Sequence, residues 1–462
     1  MLNRPRLRAP KIFLPLLLLG SSLATIAQDN SPYSRYGLGD AVPISNISTR
    51  AMGGITAGYA DAFSINFSNP ASYSQFMSYI EQRTKKQTYG RVVLDVGMNF
   101  DNRTLITPNT TNKFTSADAF FSYLQLGVPL RKNWGLSFGL RPLTRISYLI
   151  SRTERLNDPV TGLPIDSAIT QFKGSGGSYL PTIGTGVAIK NFSIGANVGY
   201  LFGTRENSTL RSLINDSVLY YSSDHTTNTS FGSVFINGGV QYLIDLTKNK
   251  ATNKTSKTSL RLGVSGSWEQ KINGSQDVLR QTFTRGSAGE ELQIDSVYQE
   301  SGVKGTIIYP AMYKAGFVLQ HSKSDFSGWL FGVDYSATKW SNYRYFGQAD
   351  SVQDGWQVNV GAQLSPRPRA NYFSRVSYRF GFYAGSDYLH VQGKLPVYGG
   401  SFGLALPIGN YNRLSPNQVS VVNLAFEYGK RGNDDNLLKE NLFRISVGFN
   451  FTDLWFGKRK YE

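Results

Sequence analysis

The chain has 462 residues, a formal net charge of +17, 13% aromatic residues and no cysteine, with a mean hydropathy of -0.27. The missing cysteine excludes anchoring through a lipidated thiol, a disulfide framework and thiolate metal sites; no segment after the first thirty residues supplies the ~18 consecutive apolar residues of a spanning helix. The basic balance would suit nucleic acid, yet no Lys/Arg block lies on a candidate helix and no recognition motif occurs, so nucleic acid is not an expected partner.

The first residues read as a secretion signal. Arg4, Arg6, Arg8 and Lys11 form a basic start, and Ile12 to Leu19 is a short apolar core. Thr25-Ile26-Ala27 places small residues where a signal peptidase reads, so residues 1–27 are expected to be removed and Gln28 to begin the mature chain. Residues 28–87 are rich in Gly, Ser, Asn and Ala without strand-length alternation. A structureless linker of that length is unusual in a compact protein, so this segment is expected to pack as a hatch, or plug, into a larger cavity.

Residues 88–462 read as one all-β domain. Two-residue alternation is plain in Trp134–Ile150, Tyr179–Ile189, Phe192–Phe202, Val234–Ile244, Leu260–Trp268, Trp356–Leu364, Tyr372–Phe382, Val422–Tyr428 and Phe443–Trp455. It is weaker in Val92–Phe100, Ala119–Val128, Tyr313–Leu319, Trp329–Ala337 and Phe402–Leu406. In the last strand Phe443, Ile445, Val447, Phe449, Phe451 and Trp455 share one phase; Arg444, Ser446, Gly448, Asn450 and Thr452 share the other. Strand side chains point to opposite faces with period two. Long strands with an aromatic-rich phase and a polar phase predict a transmembrane antiparallel β-barrel of about 14 strands, lipid outside and a polar lumen within.

The joins agree with that topology. Pro129–Asn133, Lys190–Asn191, His321–Asp325 and Pro366–Ala370 are short; Asn102–Ser116, Arg152–Asp166, Thr204–Asp216, Ile272–Asp295 and Ser341–Asp354 are long and polar. Such barrels alternate short periplasmic turns with long outer loops. Leu246–Lys257 is longer than an inner turn should be. An even strand number puts both termini on the periplasmic side.

Ahead of the first strand stands the run Met52-Gly53-Gly54-Ile55-Thr56-Ala57-Gly58-Tyr59-Ala60-Asp61-Ala62, followed by Ser68-Asn69-Pro70-Ala71-Ser72. Small residues let one backbone approach another closely, and Asn-Pro marks a turn. This run resembles the N-terminal hatch of the FadL/TodX family of outer-membrane channels for hydrophobic compounds, at Gly53, Gly54, Gly58, Asp61, Asn69, Pro70 and Ala71. Tyr33 to Asp40 and the closing Asp453 to Lys460 resemble a divergent branch of these barrels. The resemblance implies passive uptake of hydrophobic or amphipathic molecules such as long-chain fatty acids, gated by the hatch, with no cofactor, metal or catalytic residue. The partners it implies are outer-membrane lipid and a hydrophobic ligand, and the address is the outer membrane. Some barrels resembling this family instead serve protein export, as shuttles or accessories of type IX secretion, and that alternative stands beside transport.

Pro142 lies inside the third strand, where proline cannot donate to the ladder. Either it marks a bulge, or, as the resemblance implies, the wall opens there and a ligand leaves sideways into the bilayer; Pro181 shares the strand problem. Arg141, Arg145, Arg261, Arg375, Arg379 and Arg444 fall on the polar phase. Arginine facing lipid near mid-membrane costs ~2–4 kcal/mol, so they are expected in the lumen or at its rim. There they would either attract anionic ligands or hold the hatch by hydrogen bonds.

Two patterns invite other readings. Gly399-Gly400-Ser401-Phe402-Gly403 matches the spacing of a nucleophile elbow, but it lies in a barrel strand, and His225, His321 and His390 are the whole histidine complement. No catalysis is expected. Asp-Ser-Val or Asp-Ser-Ala recurs at Asp166, Asp216, Asp295 and Asp350, each where a long outer join enters a descending strand. Asp/Ser turns that start a strand account for most of the pattern; it also resembles an acceptor for bacterial O-glycosylation at Ser167, Ser217, Ser296 and Ser351.

Overall fold

A computed structural model describes residues 31–80, 87–108, 110, 113–157, 160–162, 164–214, 221–247, 256–285, 291–325, 327–369, 371–408 and 419–455. The expected signal sequence lies outside them. The chain forms one continuous antiparallel sheet closed on itself. Its strands are β1 (Gln87–Ile106), β2 (Lys113–Arg131), β3 (Trp134–Asn157), β4 (Pro164–Ile189), β5 (Phe192–Ile214) and β6 (Ser222–Asp245). β7 runs Ser256–Ser267 and resumes as Gln270–Arg285; β8 runs Glu291–Tyr309 and resumes as Met312–Lys323. β9 (Gly328–Thr338), β10 (Gly355–Ser365), β11 (Ser377–His390), β12 (Lys394–Ile408), β13 (Val419–Arg431) and β14 (Lys439–Trp455) complete the wall. β14 pairs with β1 from Lys439–Ile106 to Trp455–Gly90, which closes a 14-strand barrel.

The two-residue pattern gives the barrel its faces. In β14, Arg444, Ser446, Asn450 and Thr452 are buried inward, while Phe443 and Phe451 stand exposed outward. Elsewhere the outer face carries Phe192, Ile194, Val198, Tyr200 and Phe202 on β5 and Phe380 and Phe382 on β11. That apolar girdle is what lipid requires.

The expected long loops are corrected by the structure. Most of Arg152–Asp166, Thr204–Asp216 and Ile272–Asp295 is strand: β3 pairs with β4 out to Asn157–Pro164, and β7 pairs with β8 from Gln270–Tyr309 to Arg285–Glu291. These strands run past the membrane, where both faces meet water and nothing enforces alternation. The ladder still satisfies the backbone, so the strands persist without the sequence pattern that would reveal them. One side of the wall is therefore much taller than the other.

Residues 31–77 lie within the barrel. A short helix, Ile47–Arg50, starts where the Asn46 side chain accepts from Thr49 N, and a 3-10 segment, Pro70–Gln75, starts where Asn69 accepts from Ala71 N. Close backbone approach is possible because small residues face each other. Gly53 has φ +67, and a Cβ placed on Gly381 of β11 would fall 1.8 Å from Gly53 N. A Cβ on Gly263 of β7 would fall 1.9 Å from Ala57 O. Both obstacles are backbone and cannot swing aside. Gly381→Val is therefore expected to expel this stretch, making the buried Arg50 a site of rapid tryptic cleavage in detergent or vesicles. An Arg50 as resistant as in the wild type would show that the wall does not depend on this contact.

Candidate functional site

Inward-facing wall side chains take up the polar backbone of the N-terminal segment. Asp334 of β9 accepts from Thr56 N at 2.5 Å and Ala57 N at 2.8 Å. Ser401 of β12 accepts from Gly53 N at 3.0 Å, and Asn359 of β10 donates to Gly53 O. Gln241 of β6 donates to Ala57 O at 2.9 Å, and Asn197 of β5 to Phe67 O at 3.2 Å. Asn69 ties the segment to itself, donating to Ala57 O at 2.8 Å. Asp61 does the same, accepting from Tyr59 OH, Phe63 N and Ser64 Oγ in a tight turn. Gly54 sits beside Asn359, Gly58 beside the Arg261 carbonyl, and Pro70 and Ala71 against Gly186 and Gly195.

Nearer the outer end, Asp40 joins the segment to the wall through charge. It accepts from Arg103 at 2.8 Å and Arg431 at 3.0 Å. Arg103 also pairs with Glu440 at 2.9 Å, and Arg431 with Asp387 at 2.5 Å. Burial alone would raise the Asp40 carboxyl, but the two guanidinium groups hold it down at about 2.

The third strand departs from the regular ladder. β3 pairs with β2 only from Arg131–Trp134 to Leu124–Leu140. Beyond that, among the wall strands, β2 pairs with β1 and β3 with β4, not with each other. Residues Trp134 to Leu140 climb ~16 Å at a rise of ~3.4 Å per residue and a tilt of ~40°, less than the ~25 Å apolar band of such barrels. Pro142 stands just above this end, at a register shift between Pro142 and Thr144. The freed edge of β3 is taken up by the N-terminal segment: Asp40 and Ala41 pair with Arg145 and Thr144, Val42 N donates to Leu143 O at 3.0 Å, and Ser31 N to Ser147 O at 3.2 Å. Across the seam Arg145 pairs with Asp118 of β2 and stacks over Phe120, 4.3 Å from the ring centre. Pro181 interrupts the ladder too, between Tyr179–Phe202 and Thr182–Gly199, where β4 meets β5, without opening the wall.

A lumen cavity of about 430 Å³ lies between these layers. One part is apolar, with Leu143, Phe235, Tyr309, Met312 and Trp340; another is ionic, with Arg103, Arg431, Arg444, Glu427 and Glu440. Asp40, Ala41 and Val42 line it and also line a 20 Å³ void at the seam beside Phe120 and Arg145. They form the partition between the two.

The six arginines part company here. Arg444 makes a two-pronged pair with Asp101, at 2.6 Å through both Nε and Nη2. Arg379 is held by Gln363 at 2.8 Å and Asn423 at 2.6 Å. Arg261 reaches Gln75 of the N-terminal segment at 3.5 Å, and Arg145 spans the seam. Arg375 stands before its strand, which begins at Ser377 rather than at Tyr372 as expected; it ends the 3-10 turn Tyr372–Arg375 and donates to Arg369 O. The Asn371 turn, not the alternation, sets that boundary. Arg141 is buried, lies 5.5 Å from the Phe67 ring centre and lines the cavity; among the described residues no carboxylate pairs with it.

Several partners escaped the sequence reading. Asp334 and Asn359 lie on the polar phase of expected strands, so alternation could have placed them inward. Asp40, Arg103, Arg431 and Glu440 carry no local signal, since they meet only on closure of the barrel. His321 accepts from or donates to Thr258 at 2.8 Å and stacks on Trp329; Ser401 serves as a docking acceptor within β12.

Because the Asp40 carboxyl is depressed, its stabilisation is complete above its unfolded value near 3.8 and fades as pH falls towards 2. Amide exchange in residues 31–46 should stay slow from pH 7 to 4 and quicken only below. Asp40→Ala should bring that fast exchange to pH 7, a loss of ~1–3 kcal/mol. Exchange that quickens between pH 7 and 5 would assign control to another group.

Among solved structures the chain is similar to the CymD monoaromatic hydrocarbon channel, with 14% identity, a TM-score of 0.47, and coverage of 90% of this chain and 99% of that one. It is similar to the Ralstonia pickettii toluene transporter TbuX, with 13% identity, a TM-score of 0.45, and coverage of 90% and 99%. A Pseudomonas aeruginosa FadL homologue gives 11% identity, a TM-score of 0.47, and coverage of 91% and 100%. These include the group that the N-terminal glycine run resembles, and at such identities the likeness concerns the fold alone. No curated protein matches the chain. A family model described as BamG matches residues 10–462, and the chain belongs to the BamG family.

Proposed function

We propose that this chain is an outer-membrane channel for passive uptake of amphipathic molecules, with the N-terminal segment as its hatch and the β2–β3 seam as its lateral exit. The observation that carries the reading is Arg141, a buried cation with no carboxylate partner among the described residues, lining a cavity whose neighbouring wall is apolar. A long-chain carboxylate would set its head group against Arg141 and its tail against Leu143, Phe235 and Trp340. Passage to the seam requires the partition Asp40–Val42 to move. Its release would open the lumen towards Phe120 and Pro142, at a depth where the wall lacks a ladder. No energy source or cofactor is needed for movement down a gradient.

A second reading, an accessory of a protein-export machinery such as type IX secretion, is supported by the tall outer wall of β3 to β8, much of which extends beyond what membrane crossing needs. A stoichiometric protein partner recovered in mild detergent would favour it.

Arg141→Ala should weaken binding of a radiolabelled long-chain fatty acid roughly 10- to 100-fold, the worth of a charged hydrogen bond of ~1.5–3 kcal/mol. A neutral apolar analogue should bind almost unchanged. In cells lacking the wild-type gene, the variant should restore uptake of the neutral compound better than of the acid. Equal uptake of both compounds with and without the protein would overturn the transport reading.

A further inference from the structure

All four Asp-Ser dipeptides of this sequence are followed by Val or Ala, at Asp166, Asp216, Asp295 and Asp350. Strand capping explains only part of this. Asp350 has a structural task, accepting from Gly37 N and Ser351 N, both at 2.7 Å. The Asp295 side chain has none: it is exposed, it lies inside β8 rather than at its start, and among the described residues no hydrogen bond or ion pair engages the carboxylate. A triplet that recurs where the fold gives its Asp side chain no task is open to recognition by another protein.

Its setting gives the triplet a physical consequence. The outer half of β8 pairs with β7 along one edge. Along the other edge, among the described residues, Ile307 and Ile308 pair with Tyr345 and Arg344, and Thr306 O accepts from Phe346 N. Among the described residues, Glu291 to Gly305 thus present an unpaired strand edge above the membrane. Leu292, Ile294, Val297 and Tyr298 on it are exposed, Val297 by 70%. Such an edge invites pairing with other chains and needs protection. Bulges in the β7–β8 pairing near Ile294 and Val297 blunt it only in part.

We infer that Ser296 is a site of O-linked glycosylation, with exposed Ser351 as a second, and that the glycan on Ser296 shields this edge. An extended, exposed acceptor strand is what a transferase groove can bind by strand addition. Ser296 Oγ attacks the anomeric carbon of a sugar activated as a glycosyl diphosphate. The new C–O glycosidic bond forms as the bond from that carbon to the diphosphate oxygen breaks. The diphosphate leaves with the electron pair, and the serine proton passes to a base of the transferase. Ser167 lies half-buried in β4, and Ser217 lies outside the described residues.

The test is peptide mass spectrometry on the protein purified from its native outer membrane. Trypsin releases residues 286–304, which contain Ser287, Ser296 and Ser301. The expected result is a sugar increment on that peptide, localised to Ser296 by fragmentation that preserves the glycosidic bond. Ser296→Ala should abolish it, and Asp295→Ala should abolish it with the serine still present. Both positions are exposed, so the barrel should fold unchanged, as judged by heat-dependent gel migration. A peptide at its unmodified mass, an increment on Ser287 or Ser301, or an increment that survives Asp295→Ala would each overturn the inference.

Discussion

A backbone amide or carbonyl without a partner in hydrocarbon costs several kcal/mol, and that constraint governs this molecule. Closing the sheet through β14 and β1 removes every edge but those the chain manages deliberately. Within the membrane the longest failure of the ladder among the described residues lies between β2 and β3, beyond Leu124 and Leu140. The freed edge of β3 is met from inside, by the backbone of Ser31, Asp40, Ala41 and Val42. The seam and the N-terminal segment are therefore one device. Withdrawing the segment would unpair the wall, and that couples the state of the lumen to the state of the seam.

The lumen's charges follow the same economy. Buried guanidinium groups are tolerable when hydrogen-bonded or paired. Arg444 with Asp101, and Arg103 with Asp40 and Glu440, meet that condition within the protein. Their work is to hold strands and segment in register. Arg141 differs because aromatic contact with Phe67 does not neutralise it. Its lack of a carboxylate partner among the described residues sets it apart from paired arginines of similar appearance in sequence.

The sequence made the barrel legible because lipid on one side and polar packing on the other write themselves as alternation, as in Phe443 to Thr452. The same rule could not see the outer hairpins: Gln270–Arg285 and Glu291–Tyr309 have water on both faces, so their pairing leaves no pattern. The expected strand start at Tyr372 was early for a related reason, since a 3-10 turn from Tyr372 follows an Asn371 side chain accepting from Phe373 N. The glycine run at Gly53 to Gly58 announced close packing but not its partners, Gly381 and Gly263, more than two hundred residues away.

By itself, then, the order of residues determined a barrel of about 14 strands, the facing of side chains within the membrane-crossing stretches and the presence of an N-terminal stretch suited to tight packing. These depend on neighbours one or two positions apart. Only the tertiary structure decided which arginines are paired, that Asp40 to Val42 partition the lumen from the seam, and that β8 keeps a bare outer edge. Each of these depends on where barrel closure brings distant strands, and no local spacing encodes that.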